Sequence, residues 1–178
     1  ILKWAYKLGS ENIFGEENRY RLLRQIVHQQ EGLEIFDEED FLQEVVNEIG
    51  MVKNHRASIE EYESKCCAPD VFRSIYLEYE KMRKQLRKID FDDMLVYTYE
   101  LFSARSDILS AWQKKFRYLL IDEFQDVNQI QYDIVRMLCG KEQNLFAVGD
   151  DDQSIYRFRG AKPEIMLHMP KDFSDAQV

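Results

Sequence analysis

Cysteine is scarce in this chain of 178 residues, and the three that occur have no framework spacing. Cys66 and Cys67 are adjacent and Cys139 lies far from both, so neither a disulfide scaffold nor a zinc-ligand pattern can be read from them. A reducing, intracellular setting, the cytoplasm, is the expectation. No apolar run approaches the roughly twenty residues that a membrane-spanning helix needs, and no signal peptide precedes Ile1, so no membrane partner is expected. Excess positive charge is also missing: the formal net charge is −9. That balance argues against bulk electrostatic attraction to nucleic acid and requires any contact with DNA to be local. His28, His55 and His168 show no ligand or triad spacing. What remains, 45% hydrophobic and 32% charged, is the composition of a globular piece able to bury a core in one or two domains.

Residues 1–88 read as helices joined by short loops. Tyr20, Leu23, Ile26 and Val27 recur at helical spacing within Glu17 to Gln30. Asp37 is placed to cap a helix whose apolar face is Phe41, Val45, Ile49 and Val52. Ser58 and Glu61 have capping-box spacing. After Pro69, the positions Val71, Ile75, Tyr79, Met82 and Leu86 mark one face of a long helix. The basic run Lys81, Arg83, Lys84, Arg87 and Lys88 reads first as the solvated face of that helix, with a DNA-backbone contact as the lesser competing reading. Trp4 and Trp112 read as packing residues. Next, Asp90-Phe91-Asp92-Asp93 opens a helix with Asp90 as N-cap and Asp93 near the third position, where carboxylates favour the positive helix terminus.

The C-terminal part carries the chemistry. Tyr118-Leu-Leu-Ile-Asp122-Glu123-Phe-Gln125-Asp126 is an apolar run that ends in carboxylates. A buried strand delivering two carboxylates at its end suits metal-assisted phosphoryl transfer, in which one holds Mg²⁺ through its water shell and the other orients or deprotonates a water. Alone, the pattern is also that of an acidic capping turn. A second apolar run, Leu145 to Gly149, leads into Asp150-Asp151-Asp152-Gln153-Ser154-Ile155-Tyr156-Arg157-Phe158-Arg159-Gly160-Ala161. Strand 117–122, helix 128–139 and strand 145–149 form a β-α-β unit, with Gly140 closing the helix. A right-handed crossover makes the strands parallel, so both acidic ends emerge at one edge, the edge where open α/β sheets bind ligands.

These two motifs resemble motifs II and III of the UvrD/Rep/PcrA group of superfamily 1 DNA helicases, in both order and spacing. The specific resemblance covers roughly residues 89–169. It implies a mixed α/β, predominantly helical chain: a helical inserted domain at 1–88, then part of a RecA-like parallel α/β motor domain at 89–178. The phosphate-binding loop G-x-x-x-x-G-K-S/T of that P-loop NTPase fold is missing here. The only Gly-Lys pair, Gly140-Lys141, is followed by Glu142, and Val135 stands where the first glycine belongs. The chain is therefore expected to be an internal fragment that does not turn over ATP by itself. In the family the phosphate-loop strand lies beside the motif III strand, so strand 145–149 is expected to have an unpaired edge open to self-association.

The resemblance also implies roles. Asp122 would coordinate Mg²⁺, Glu123 would be the general base, and Gln153 would sense the γ-phosphate of ATP. Gln125 and Asp126 would either touch nucleotide or tie down their loop. Tyr156, Phe158 and Arg159 would contact DNA, with Phe158 at the position where the family usually stacks a Trp on single-stranded DNA. Core packing for Tyr156, an ion pair for Arg159 and a solvated turn for part of Asp150–Asp152 are the competing readings. Two function classes follow. One is a piece of an ATP-dependent DNA helicase that translocates 3′ to 5′ on single strands and unwinds duplex DNA. The other is a non-catalytic DNA-binding or protein-interaction module built on the same fold.

Overall fold

The computed structural model of the protein describes residues 1–30, 32–141, 144–150, 152, 163–173 and 176–177. The chain divides into two compact units, Ile1–Met94 and Leu95–Val178.

The first unit is helical. It contains α1 (Leu2–Ala5), α2 (Glu16–Val27), α3 (Glu38–His55), α4 (Pro69–Gln85) and the first turn of α5 (Phe91–Ala104). Asp37 starts α3 as expected: its Oδ1 accepts the N–H groups of Glu39 and Asp40, both at 3.0 Å. Capping of this kind is worth about 1 kcal/mol. The core forms because three helices each present one apolar stripe. α2 contributes Leu22, Leu23, Ile26 and Val27, α3 contributes Leu42, Val45, Ile49 and Val52, and α4 contributes Phe72, Ile75 and Tyr79. Spacings of three and four bring each set onto one face.

Three expectations need correction. No helix follows Ser58; the segment is a turn in which Glu61 N–H donates to the Ser58 carbonyl at 3.2 Å. The buried face of α4 runs through Phe72, Ile75, Tyr79 and Arg83, whereas Leu86 lies past the helix end and is exposed. The basic run is not uniformly solvated, because Arg83 is among the most buried side chains described.

Arg83 belongs to a buried ionic network that anchors the start of α5. Lys53 Nζ lies 2.7 Å from Asp90 Oδ2, 2.9 Å from Asp93 Oδ1 and 2.9 Å from Glu80 Oε1. Arg83 reaches Asp93 at 2.8 Å and Glu80 at 2.6 Å, and the Tyr79 hydroxyl donates to Asp90 at 2.9 Å. Asp90 and Asp93 also cap reciprocally, each accepting the other's backbone N–H at 2.8–2.9 Å. Burial alone would strip the Lys53 proton, but Asp90, Asp93 and Glu80 outweigh it and raise its pKa. Burial would raise the Asp90 carboxyl too, but Lys53 and Arg19 overcome it and hold it well below the usual range. Asp93 goes the other way. Burial, opposed by Lys53 and reinforced by the Asp90 charge, pushes it up to about 6. These contacts explain why the first unit extends through Met94.

The second unit holds the rest of α5, α6 (Ser106–Lys115), β1 (Leu119–Ile121), a 3₁₀ turn at Phe124–Asp126, α7 (Gln129–Cys139), β2 (Leu145–Ala147) and α8 (Pro163–Asp172). β1 and β2 are parallel, with Leu119 opposite Leu145 and Ile121 opposite Ala147, and α7 is the crossover. The chain is thus mixed α/β and mostly helical. α7 starts at a reciprocal cap, in which Asn128 Oδ1 accepts Gln131 N–H and Gln131 Oε1 accepts Asn128 N–H, both at 3.0 Å. It ends at Gly140, whose φ of +54° suits glycine. Leu119, Ile121, Leu145 and Ala147 face a core of Phe124, Val127, Tyr132, Ile165 and Phe173. The alternate residues Tyr118, Leu120, Phe146 and Val148 are exposed, which leaves the other sheet face uncovered among the described residues. Trp112 stacks on Phe116 at 5.3 Å between ring centroids.

Candidate functional site

Both strands are shorter than the sequence suggests, and the reason shapes the site. Pairing continues past Ile121 through Val148 N–H to the Ile121 carbonyl and Phe124 N–H to the Val148 carbonyl, both 2.9 Å. Between these bonds Glu123 takes a left-handed backbone conformation, φ +53° and ψ +42°, and turns the chain out of the sheet. A non-glycine residue held there costs of order 1 kcal/mol or more, so the flanking bonds have to impose it. The turn leaves Asp122 and Glu123 exposed at the C-terminal end of β1 while Phe124 and Gln125 point inward. Asp122 Oδ1 accepts the Glu123 N–H at 2.9 Å, and Asp126 N–H donates to the Glu123 carbonyl at 2.9 Å.

Gln125 joins the two motifs. Its side chain is 1% exposed, and both ends of the amide are used. Nε2 donates to Glu123 Oε2 at 2.7 Å, and Oε1 accepts the Asp150 N–H at 2.9 Å. One buried amide therefore links the Glu123 carboxylate to the backbone just past β2. Gly149 leaves room for it: a Cβ at 149 would lie 2.7 Å from Gln125 Oε1 and 3.0 Å from Met166 Sδ. A side chain at 149 would therefore force Gln125 Oε1 to shift and Met166 to give way. Asp150 Oδ1 in turn accepts the Asp152 N–H at 3.1 Å. Asp126 Oδ1 is buried and finds no hydrogen-bond partner among the described residues.

Asp122, Glu123, Gln125 and Asp126 are thus brought together with Gly149 and Asp150 at one strand edge. Gln153, Tyr156, Phe158 and Arg159 lie outside the described residues. The Gln125–Asp150 bond and the clearance at Gly149 have no signal in residue spacing. They depend on the parallel register that sets residues 125 and 150 side by side. Among the described residues no group of three or more His, Cys, Asp and Glu is arranged to hold a metal ion. The donor chemistry still suits Mg²⁺, which keeps several waters and asks the protein for only one or two carboxylates. Asp122 is the exposed carboxylate at the strand end that could serve.

Among the described residues, no helix is long and apolar enough to cross a membrane. The model of the UvrD/REP helicase N-terminal domain matches residues 5–174. A putative ATP-dependent DNA helicase, YjcD of Bacillus subtilis (strain 168), is 40% identical over 175 residues, which is 98% of this chain and 22% of that protein. The ATP-dependent DNA helicase Rep of Salmonella typhimurium is 34% identical over 184 residues, 100% of this chain and 27% of its own length. The ATP-dependent DNA helicase PcrA of Bacillus subtilis is 38% identical over 137 residues, 75% and 18% respectively. The chain spans only about a quarter or less of these relatives.

Proposed function

Because the chain belongs to the UvrD/REP helicase family, we propose that it is part of the first motor domain of an ATP-dependent DNA helicase. Residues 89–178 carry the RecA-like P-loop NTPase portion, and residues 1–88 form the inserted helical domain. The observation that carries this reading is the Gln125 bridge, which joins the Glu123 carboxylate to Asp150 at the ligand-binding edge of a parallel sheet.

In this reading Glu123 accepts a proton from the water that attacks the γ-phosphate of ATP. Its left-handed backbone and the Gln125 amide hold the carboxylate in one orientation, which is the positioning that phosphoryl transfer chiefly needs. Asp122 is the residue that would hold Mg²⁺, which would supply charge neutralisation at the phosphates. The Asp126 backbone N–H ties the loop to the Glu123 carbonyl, and Gln153 meets the γ-phosphate. Tyr156, Phe158 and Arg159 grip single-stranded DNA, with Phe158 stacking on a base at about 1–3 kcal/mol. A change at the nucleotide reaches the DNA grip through the Gln125–Asp150 link, because Asp150 opens the segment that carries all three DNA residues.

Translocation is 3′ to 5′, and the 178-residue chain alone does not hydrolyse ATP, since it contains no phosphate-binding loop sequence. The exposed sheet edge and face favour self-association of the isolated chain. The test is unwinding of tailed duplexes by the full-length protein with ATP and Mg²⁺. A 3′ single-stranded tail is expected to support unwinding, and a 5′ tail is not. Unwinding that depends only on a 5′ tail, or ATP turnover by the isolated chain, contradicts the proposal.

A further inference from the structure

The loop leading into α4 brings Cys66 and Cys67 together, although adjacent side chains in extended backbone would point apart. Their sulfurs are 3.9 Å apart, with the Cys66 thiol donating to Cys67. Ser64 Oγ sits 3.4 Å from Cys66 Sγ and accepts the Cys67 N–H at 3.4 Å. The loop is fastened from beneath by Glu48 of α3, a buried residue whose Oε1 accepts the N–H groups of Lys65 at 2.7 Å and Cys66 at 3.1 Å. Both cysteines pack on the core and both remain partly open to solvent.

We propose that Cys66 and Cys67 form a bidentate capture site for trivalent arsenicals. Two soft sulfur donors side by side match one soft, thiophilic centre. Among the described residues, no third His, Cys, Asp or Glu completes a metal-holding group, so the pair does not build a tetrahedral zinc site. A disulfide would have to shorten the separation to about 2.05 Å and would need an external oxidant. Capture of an arsenical needs neither. With phenylarsine oxide, two S–H bonds break and two As–S bonds form. The arsenic-bound oxygen leaves as water with the two thiol protons, and arsenic stays trivalent. The Cys66 thiol that donates to Cys67 lowers the Cys67 pKa, against burial, which favours Cys67 as the first attacking thiolate. The second thiol then closes the ring intramolecularly.

The test is mass spectrometry of the 178-residue chain with phenylarsine oxide, before and after challenge with excess monothiol. One equivalent is expected on wild type and on Cys139→Ser, stable to monothiol and released by a dithiol. Peptide mapping of the wild-type adduct should place the arsenic on Cys66 and Cys67, an arm that needs no variant to fold. Cys66→Ser and Cys67→Ser should each bind roughly a hundredfold or more weakly, the usual loss when the second contact of a bivalent ligand is removed. Wild-type affinity should also fall when urea unfolds the chain. Undiminished binding by either single variant, arsenic mapped to Cys139, or equal affinity in folded and unfolded chain would overturn the proposal.

Discussion

Replacing Lys53 with methionine removes the centre of the buried ionic network while roughly keeping its volume. The side chain is 4% exposed and its ammonium serves three carboxylates within 2.9 Å. In K53M, Asp90 keeps the Tyr79 hydroxyl at 2.9 Å and Arg19 at 4.0 Å, and Asp93 keeps Arg83 at 2.8 Å. Three carboxylates then share two arginines. Removing one partner of a buried pair costs about 3–5 kcal/mol, and the remaining partners place this case near about 3 kcal/mol. For a unit of this size that loss lowers Tm by on the order of 15 °C. Thermal and urea unfolding followed by circular dichroism measure it, with Arg21→Met as a surface control. Arg21 meets Glu17 at 3.2 Å on an exposed helix face, where a pair contributes about 0.5 kcal/mol or less. The deficit of K53M is also expected to shrink as pH falls, because the uncompensated carboxylates can then take up protons. A K53M chain within about 1 kcal/mol of wild type at neutral pH would refute the claim that this lysine holds the network together.

The wild-type network should give a distinct pH signature. Asp93, with its folded pKa raised to about 6, contributes stability that is complete below its unfolded value near about 4 and is lost as pH rises through about 6. Asp90 is depressed, so its contribution is present above about 4 and is lost on further acidification. Urea midpoints of Asp93→Asn should therefore be flatter than wild type between about pH 4 and 6; an unchanged slope would remove Asp93 as the source. At the candidate site, Gln125→Ala should speed hydrogen exchange of the Asp150 amide by about tenfold or more, the loss of one buried hydrogen bond. Gln125→Glu keeps the acceptor for Asp150 but sets its carboxylate against Glu123, so protection should fall between wild type and Gln125→Ala; equal exchange in wild type and Gln125→Ala would count against the bridge. Gly149→Ala should displace the same amide, and Asp150 protection as strong as wild type would show that the Gly149 clearance is not needed.

Much of this was legible in the sequence, and the exceptions have physical causes. The Asp37 and Asp90 caps and the β-α-β unit are readable because their signals are local: a capping side chain, helical periodicity, a glycine after a helix. The Ser58 spacing misleads because distant side chains take the backbone groups a helix would use: Arg73 binds the Ile59 and Glu60 carbonyls, and Glu48 accepts the Lys65 and Cys66 N–H groups. Arg83 reads as a surface cation because its local partner Glu80 is one turn away on α4, whereas Asp93 reaches it only when α4 packs near the start of α5. At the site, the acidic pair was visible at the end of its strand. The left-handed Glu123 backbone and the reach of Gln125 to Asp150 depend on strand register across 25 residues, and no single segment contains that information.

In the proposed function Glu123 is the base that activates water, held in place by Gln125. The most direct test of that role is Glu123→Gln in the full-length protein, with equilibrium ATP binding and single-turnover hydrolysis measured on the same sample. The amide keeps the shape and cannot accept the proton, so hydrolysis should fall by about 10²–10⁴-fold while ATP affinity stays close to wild type. Hydrolysis at the wild-type rate, or a loss of ATP binding as large as the loss of hydrolysis, would contradict it.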